Sequence, residues 1–255
     1  MAGQTGVTSG QGRWLTGLRS GLFLVVLFVS IVIYASLTFF TLPFPVKTRI
    51  RFTNGWVAFF DWWLKACCGL GWRLRGIEHL PDRPTVIFAR HSSTWETMAL
   101  QRRFPPYCWI IKRELLWIPF FGWGLAILRP IAIDRSSGRR AVEQIARQGA
   151  DRLREGLWVM CFPETTRMAP GQRRRFGMGG AVLASRTGAP VVPVAHDAGC
   201  YWRRRGFLKY PGTIRVEVGP VIETAGRTPD EINRIAKEWI DAATDRLERE
   251  AGQPD

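Results

Sequence analysis

The chain has 255 residues, 46% of them hydrophobic, which is enough to bury one good-sized core and excludes a disordered or fibrous composition. With 36 Lys and Arg against 21 Asp and Glu, its formal charge of +15 calls for an anionic partner: nucleic acid, an anionic membrane surface or a phosphorylated substrate. Twelve tryptophans favour membrane and phosphate over nucleic acid, because indole prefers the headgroup layer, where its N–H stays wet.

Met1 to about Gly12 is mostly Gly, Ser, Thr and Gln, and residues 1–20 are expected to form a flexible tail. Residues 21–72 read as an N-terminal membrane anchor. Gly21 to Val46 carries no charge, and Leu22 to Leu42 is almost continuously apolar, about the 20 residues that cross a hydrocarbon core. The run exceeds the apolar region of a secretory signal and no small-x-small cleavage site follows, so it is expected to be retained. Arg13 and Arg19 precede it and Lys47, Arg49 and Arg51 follow, leaving no charge asymmetry to orient a crossing. From Phe52 to Trp72, Trp56, Phe59, Phe60, Trp62, Trp63 and Leu64 sit beside Asp61 and Lys65, too polar to span and aromatic enough to lie in the interface. One true crossing and a helix pair embedded from one side both remain open.

Residues 73–255 alternate between strand-like and helix-like pieces. Strands are expected at 85–89, 107–111, 157–162, 191–195 and 213–218, all rich in β-branched or aromatic residues. Helices are expected at 93–103, 138–155, 177–187 and 229–248. The last shows an apolar stripe through Ile232, Ile235, Ala236, Trp239, Ile240, Ala243 and Leu247, opened by the capping box Thr228-Pro-Asp-Glu231. The pattern predicts a single α/β domain, a mixed sheet flanked by helices. The cysteines (Cys67, Cys68, Cys108, Cys161 and Cys200) show neither zinc spacing nor a disulfide framework and read as reduced buried thiols.

The first strand runs into Arg90-His91-Ser92-Ser93-Thr94-Trp95-Glu96. A neutral imidazole near pH 7 can take the proton of a hydroxyl as it attacks a carbonyl, and a carboxylate beside it would hold one tautomer and stabilise the imidazolium. Residues five apart on one helix point roughly 140° apart, so His91 belongs in the loop before the helix, with Glu96 reaching back from its first turn. A bland reading competes, because Ser93-x-x-Glu96 is itself a capping box and a lone histidine after a strand is commonly structural. His79 is given no role on that ground, and His196 reads as a structural residue near the site. Three further segments end apolar stretches at basic or acidic turns: Ile133-Asp134-Arg135, Phe162-Pro163-Glu164-Thr165-Thr166-Arg167 and Val191-Val192-Pro193. Strand ends of this kind converge on the ligand crevice of an open α/β sheet, and Arg suits phosphate there.

These four ordered motifs, with the stretch Lys112 to Trp123, resemble the glycerophospholipid acyltransferase family, specifically the bacterial lysophosphatidate acyltransferases, over about residues 20–245. The resemblance implies acyl transfer from a coenzyme A or acyl carrier protein thioester to lysophosphatidic acid, with no metal or other cofactor and no acyl-enzyme. His91 would be the general base and Glu96 its orienting partner. Lys112, Arg135 and Arg167 would hold the acceptor phosphate, with Glu164 and Thr165 in the acceptor-binding turn. It also implies a helix pair in the bacterial inner membrane, with the active site facing the cytoplasm. Two departures stand out. Glu96 replaces the family's usual Asp, and Thr165 replaces a glycine, which would be strained if that position has positive φ. The runs Arg173-Arg174-Arg175 and Arg203-Arg204-Arg205 favour anionic headgroups or an acidic carrier protein over plain solvation. A non-enzymatic basic membrane protein would need neither His91–Glu96 nor Phe162–Arg167. Another lysolipid acceptor, without a terminal phosphate, would not need the three basic residues together.

Overall fold

The computed structural model describes residues 10–252, so positions 1–9 of the expected tail lie outside the described residues. Residues 10–20 are not tail: helix α1 runs Gly10–Thr38, because apolar residues at Leu15 and Leu18 extend its face upstream of the uncharged run. After a turn holding Pro43 and Pro45, α2 spans Val46–Cys68 and ends at Gly69, whose φ of 67° forms a left-handed cap. The two helices pack antiparallel. Trp56 Nε1 donates to Ser30 Oγ (3.1 Å), the Phe23 and Phe60 rings meet edge to face at 6.1 Å, and the Cys67 thiol donates to Arg19 O (3.2 Å).

Seven strands follow: β1 (Leu70–Arg75), β2 (Val86–Ala89), β3 (Tyr107–Lys112), β4 (Ile131–Ile133), β5 (Trp158–Cys161), β6 (Val191–His196) and β7 (Gly212–Val218). They form one mixed sheet in the order β1-β7-β6-β2-β5-β3-β4. The five strands from β6 to β4 are mutually parallel, β7 is antiparallel to β6, and β1 is parallel to β7. Strand β1 starts inside the stretch expected to be anchor, so the boundary at residue 72 moves back to Gly69. Neither β1 nor the three-residue β4 was expected.

The remaining helices are α3 (Glu96–Ala99), α4 (Phe121–Ile127), α5 (Arg139–Arg154), α6 (Gly179–Thr187), α7 (Ala198–Tyr201) and α8 (Pro229–Ala251). The helix expected over 93–103 is reduced to α3 and a 3-10 turn over Leu100–Arg102, since its first residues are held outside the helix by the Glu96 side chain. The capping box of α8 forms as expected, Thr228 Oγ1 accepting from Glu231 N at 3.3 Å.

Both sheet faces are covered. Along β2, Ile87 and Ala89 join Phe23, Phe60, Leu64 and Trp95 beneath α1–α3, while Val86 and Phe88 join Ile145, Leu183, Ile232 and Ile240 beneath α5, α6 and α8. Burial on both sides explains why these strands read as unbroken apolar runs. Helices α1 and α2 therefore share a core with the sheet. Parallel strands from β6 to β4 also bring the ends of β2, β3, β4, β5 and β6 to one edge, where the motifs meet.

Candidate active site

His91 stands in the loop two residues past β2, with 12% of its side chain exposed, and its Nδ1 donates to Glu96 Oε1 at 2.9 Å. Glu96 is fully buried at the start of α3 and also accepts from Ser92 N (3.0 Å) and Ser93 N (2.9 Å to Oε1, 3.1 Å to Oε2). One carboxylate thus bonds the backbone ahead of the helix and the histidine at once, the geometry that the capping-box reading and the catalytic reading of Glu96 both require. Burial by itself would push the Glu96 pKa up, but His196, His91 and the Ser93 N–H together hold it below the ordinary carboxylate range. A carboxylate that accepts from Nδ1–H selects the neutral tautomer whose lone pair is on Nε2. The imidazole stacks on Phe162, centroids 4.4 Å apart, which fixes the plane of the ring.

His91 lines a cavity of about 450 Å³ between the helix pair and the sheet. Its walls are mostly apolar: Leu27, Ile31 and Tyr34 from α1, Trp56 from α2, Trp109 and Ile111 from β3, and Leu125 from α4. Arg167 lines it too. Burial lowers the Arg167 pKa while Glu96 opposes the shift, and its Nε is buried without a hydrogen-bond partner. A buried guanidinium N–H left unpaired marks a position where an anion would be accepted.

The other expected site residues are placed differently. Glu164 does not line the cavity. It is fully buried with Arg90, whose Nη1 donates to Glu164 Oε1 at 3.1 Å and whose Nη2 donates to Gln172 O at 2.7 Å. Burial raises the Glu164 pKa against the pull of Arg90. This pair ties the His91 loop to the Glu164–Arg167 loop, as does Met168 N donating to His91 O at 2.7 Å. Thr165 is exposed with φ of 60°, so the family's glycine position does require the left-handed region, and here a β-branched residue occupies it. Lys112 ends β3, 51% exposed and paired with Glu114 at 3.2 Å, outside the cavity. Arg135 opens the 3-10 turn after β4, and its side chain lies outside what the structure describes. Both share the strand edge with His91, Lys112 two strands away, roughly 10 Å at the usual spacing.

Sequence reasoning passed over Arg90, Phe162 and Gln101. An arginine directly continuing an apolar central strand was the available signal for Arg90, since such a charge must find a buried partner. Gln101 lines the cavity and fastens α2 by donating to Ile50 O (3.0 Å) and to Thr53 Oγ1, contacts that no spacing rule reveals. His196 is fully buried and does not line the cavity. Its Nε2 donates to Arg90 O at 2.8 Å and its Nδ1 accepts from Ala198 N at 3.3 Å, so the ring steadies the loop; burial lowers its pKa while Glu96 opposes the shift.

Residues 72–197 match the family model described as Acyltransferase. The chain is 44% identical over 228 residues to the 1-acyl-sn-glycerol-3-phosphate acyltransferase of Pseudomonas aeruginosa, covering 88% of this chain and 89% of that protein. It is 31% identical over 179 residues to the human 1-acyl-sn-glycerol-3-phosphate acyltransferase alpha, covering 68% of this chain and 62% of the human one. The crystal structure of the 1-acyl-sn-glycerophosphate (LPA) acyltransferase from Thermotoga maritima superimposes with a TM-score of 0.75 over 90% of this chain and 95% of that chain. At 21% identity that likeness speaks for the fold. With His91 and Glu96 joined at a strand edge inside the matched region, the chain belongs to the acyltransferase family.

Proposed function

We propose that this protein transfers a fatty acyl group from a thioester of coenzyme A or acyl carrier protein to the free sn-2 hydroxyl of lysophosphatidic acid, giving phosphatidic acid. The observation that carries the reading is the His91–Glu96 pair opening onto an apolar cavity that also holds an incompletely bonded arginine. The printed activities of the Pseudomonas and human relatives support the same acceptor.

In this reading the acyl chain lies among the apolar walls, with its carbonyl near His91. Nε2 removes the acceptor hydroxyl proton as the oxygen bonds to the thioester carbon, and the buried Glu96 charge stabilises the imidazolium. The C–S bond then breaks and the proton passes from Nε2 to the leaving sulfur, so the histidine is restored without an acyl-enzyme. Arg167 meets the acceptor phosphate. Lys112 and Arg135 stand further along the same edge, where they meet charge farther from the reacting hydroxyl. Glu164, paired with Arg90, positions the turn that carries Arg167.

We also infer that the helix pair is embedded from the cytoplasmic face of a bacterial inner membrane. Helix α1 is long and apolar enough to cross, yet one side packs on the body and the other exposes Leu15, Leu18, Leu22, Val25, Val29, Ile33 and Leu37 along its length. Trp117, Ile118 and Phe120, between β3 and α4, and Trp123 within α4 are exposed as well. A helix held lengthwise against the body presents its apolar stripe sideways, which suits a shallow seat in one leaflet.

The test incubates purified protein with lysophosphatidic acid, lysophosphatidylcholine and lysophosphatidylglycerol, each with acyl-coenzyme A and acyl carrier protein donors, and identifies products by mass spectrometry. Phosphatidic acid is expected as the main product. Equal acylation of lysophosphatidylcholine would contradict the acceptor assignment.

A further inference from the structure

The two arginine runs have different surroundings. Arg173 is fastened to α8 by Asp241 (3.5 Å), Asp245 and Glu248 (3.5 Å). Arg203, Arg204 and Arg205 are exposed and, among the described residues, none is ion-paired to a carboxylate. The Arg203 guanidinium lies over the Tyr210 ring, 5.7 Å from its centroid. Directly after the run, Phe207 is 55% exposed.

This loop is attached to α1. Lys209 N donates to Ser20 Oγ at 2.9 Å, and Leu208 and Phe207 lie against Gly17 and Gly21, where an added Cβ would meet them at 4.0 and 3.6 Å. The Lys209 ammonium is buried among the rings of Phe23, Trp202 and Phe207 at 5.8, 4.8 and 5.6 Å. Beside the attachment, α1 exposes Trp14, Leu18 and Leu22, with Arg13 and Arg19 among them, and no acidic residue occurs before Asp61.

We propose that the loop 203–208 is a lipid-docking element, in which Phe207 enters an anionic leaflet beside α1 while Arg203, Arg204 and Arg205 engage its phosphates. The proposal rests on the membrane reading of α1 and goes beyond it, because it places part of the α/β domain in the headgroup layer. Arginines carry their charge to the phosphates while an adjacent aromatic ring sits deeper, and the surrounding helix presents only positive charge. An acidic protein would satisfy the arginines but would leave Phe207 and the α1 stripe facing water. The loop also adjoins the site: Gly199, in the helix leading to it, donates to Ser92 Oγ at 3.1 Å, and the Arg204 charge is felt at Arg167. An anionic acceptor gathered at this loop is therefore already near the cavity.

The test uses the full chain in vesicles of phosphatidylcholine alone or mixed with phosphatidylglycerol. Phe207→Cys is labelled with an environment-sensitive fluorophore, and wild type carried through the same labelling sets the background from its own, mostly buried cysteines. On the anionic vesicles the emission should shift to the blue and iodide quenching should disappear. Full iodide quenching there would overturn the proposal. This arm needs no turnover, so it stands or falls separately from the acceptor assignment. In the second arm, Arg203→Gln with Arg205→Gln, leaving Arg204 in place, should cut acylation on anionic vesicles by about fivefold per arginine. The rate on a monomeric short-chain acceptor should stay unchanged. If the double variant keeps the vesicle rate and instead raises KM for a carrier-protein thioester, the loop receives an acidic protein and the lipid assignment is wrong.

Discussion

Glu96 accepts from His91 Nδ1, Ser92 N and Ser93 N, with its side chain fully buried. A glutamine there keeps one accepting oxygen and turns an NH2 group toward donors. Glu96→Gln should therefore lower kcat by about 10²–10⁴, the range for a disabled base, and should also cost about 1–3 kcal/mol of stability through the mispaired donors. Rates measured well below the melting temperature separate the two effects. Near-normal kcat in a destabilised variant would reduce Glu96 to a cap. For Arg167, charge-assisted contacts of about 1.5–3 kcal/mol imply that Arg167→Ala lowers acceptor kcat/KM roughly 10- to 150-fold. KM for lysophosphatidic acid should rise far more than KM for the donor, and Arg167→Lys should recover part of the loss. A rise confined to the donor KM would move Arg167 to the thioester carrier. The meeting of His91, Glu96 and Arg167 at one edge was legible because the proposed chemistry calls for particular residue types at strand ends. The true place of Glu164 was not, because the buried partner that claims it, Arg90, is 74 residues away in sequence. The strain at Thr165 was legible only through the family's glycine, and the loop keeps its course there by Thr165 N donating to Phe162 O at 3.0 Å and Gly177 N to Pro163 O at 2.8 Å.

Helix α1 approaches α4 where Gly124 faces Ala35, and a Cβ on Gly124 would lie 2.9 Å from the Ala35 Cβ. Neither atom belongs to a flexible side chain, so Gly124→Ala must push the helices apart at a cavity wall. Overpacking of this kind costs about 1–3 kcal/mol, or roughly 2–4 °C of Tm per kcal/mol for a chain of this size. Scanning calorimetry checks this, and an unchanged Tm would mean that α1 is not clamped there. A second element-level expectation concerns Asp197, at the start of α7. Burial pushes its carboxyl up to about 6, against the pull of the Arg215 backbone N–H and guanidinium. The folded chain thus holds this proton more tightly than the unfolded one, whose value is near 3.8. That stabilisation is complete below the unfolded pKa and is lost as pH rises through the folded one. The Tm of wild type minus that of Asp197→Asn should therefore fall from about pH 4 to about pH 7, and a pH-independent difference would contradict it. Among elements, α8 and strands β2, β3, β5, β6 and β7 were legible from period and composition. Strand β1 was hidden behind the aromatic stretch of α2. The brevity of α3 was hidden too, since it is set by one side chain bonding the backbone ahead of it.

At the scale of the molecule, a sheet with its parallel strand ends at one edge carries the histidine, and a helix pair closes an apolar chamber over it. Helix α1 was visible as an uncharged run. That α1 walls the cavity with Leu27, Ile31 and Tyr34, and α2 with Trp56, depends on packing between segments remote in sequence and could not be read from either. In the proposed reading one arrangement serves membrane seating, acyl-chain burial and acid–base chemistry, the last two meeting at His91. The most direct test is the steady-state acylation of lysophosphatidic acid by wild type and His91→Ala, matched for thermal unfolding. The account predicts a loss of about 10²–10⁴ in kcat with the melting curve unchanged. A folded His91→Ala protein that turns over at near the wild-type rate would contradict the proposed mechanism.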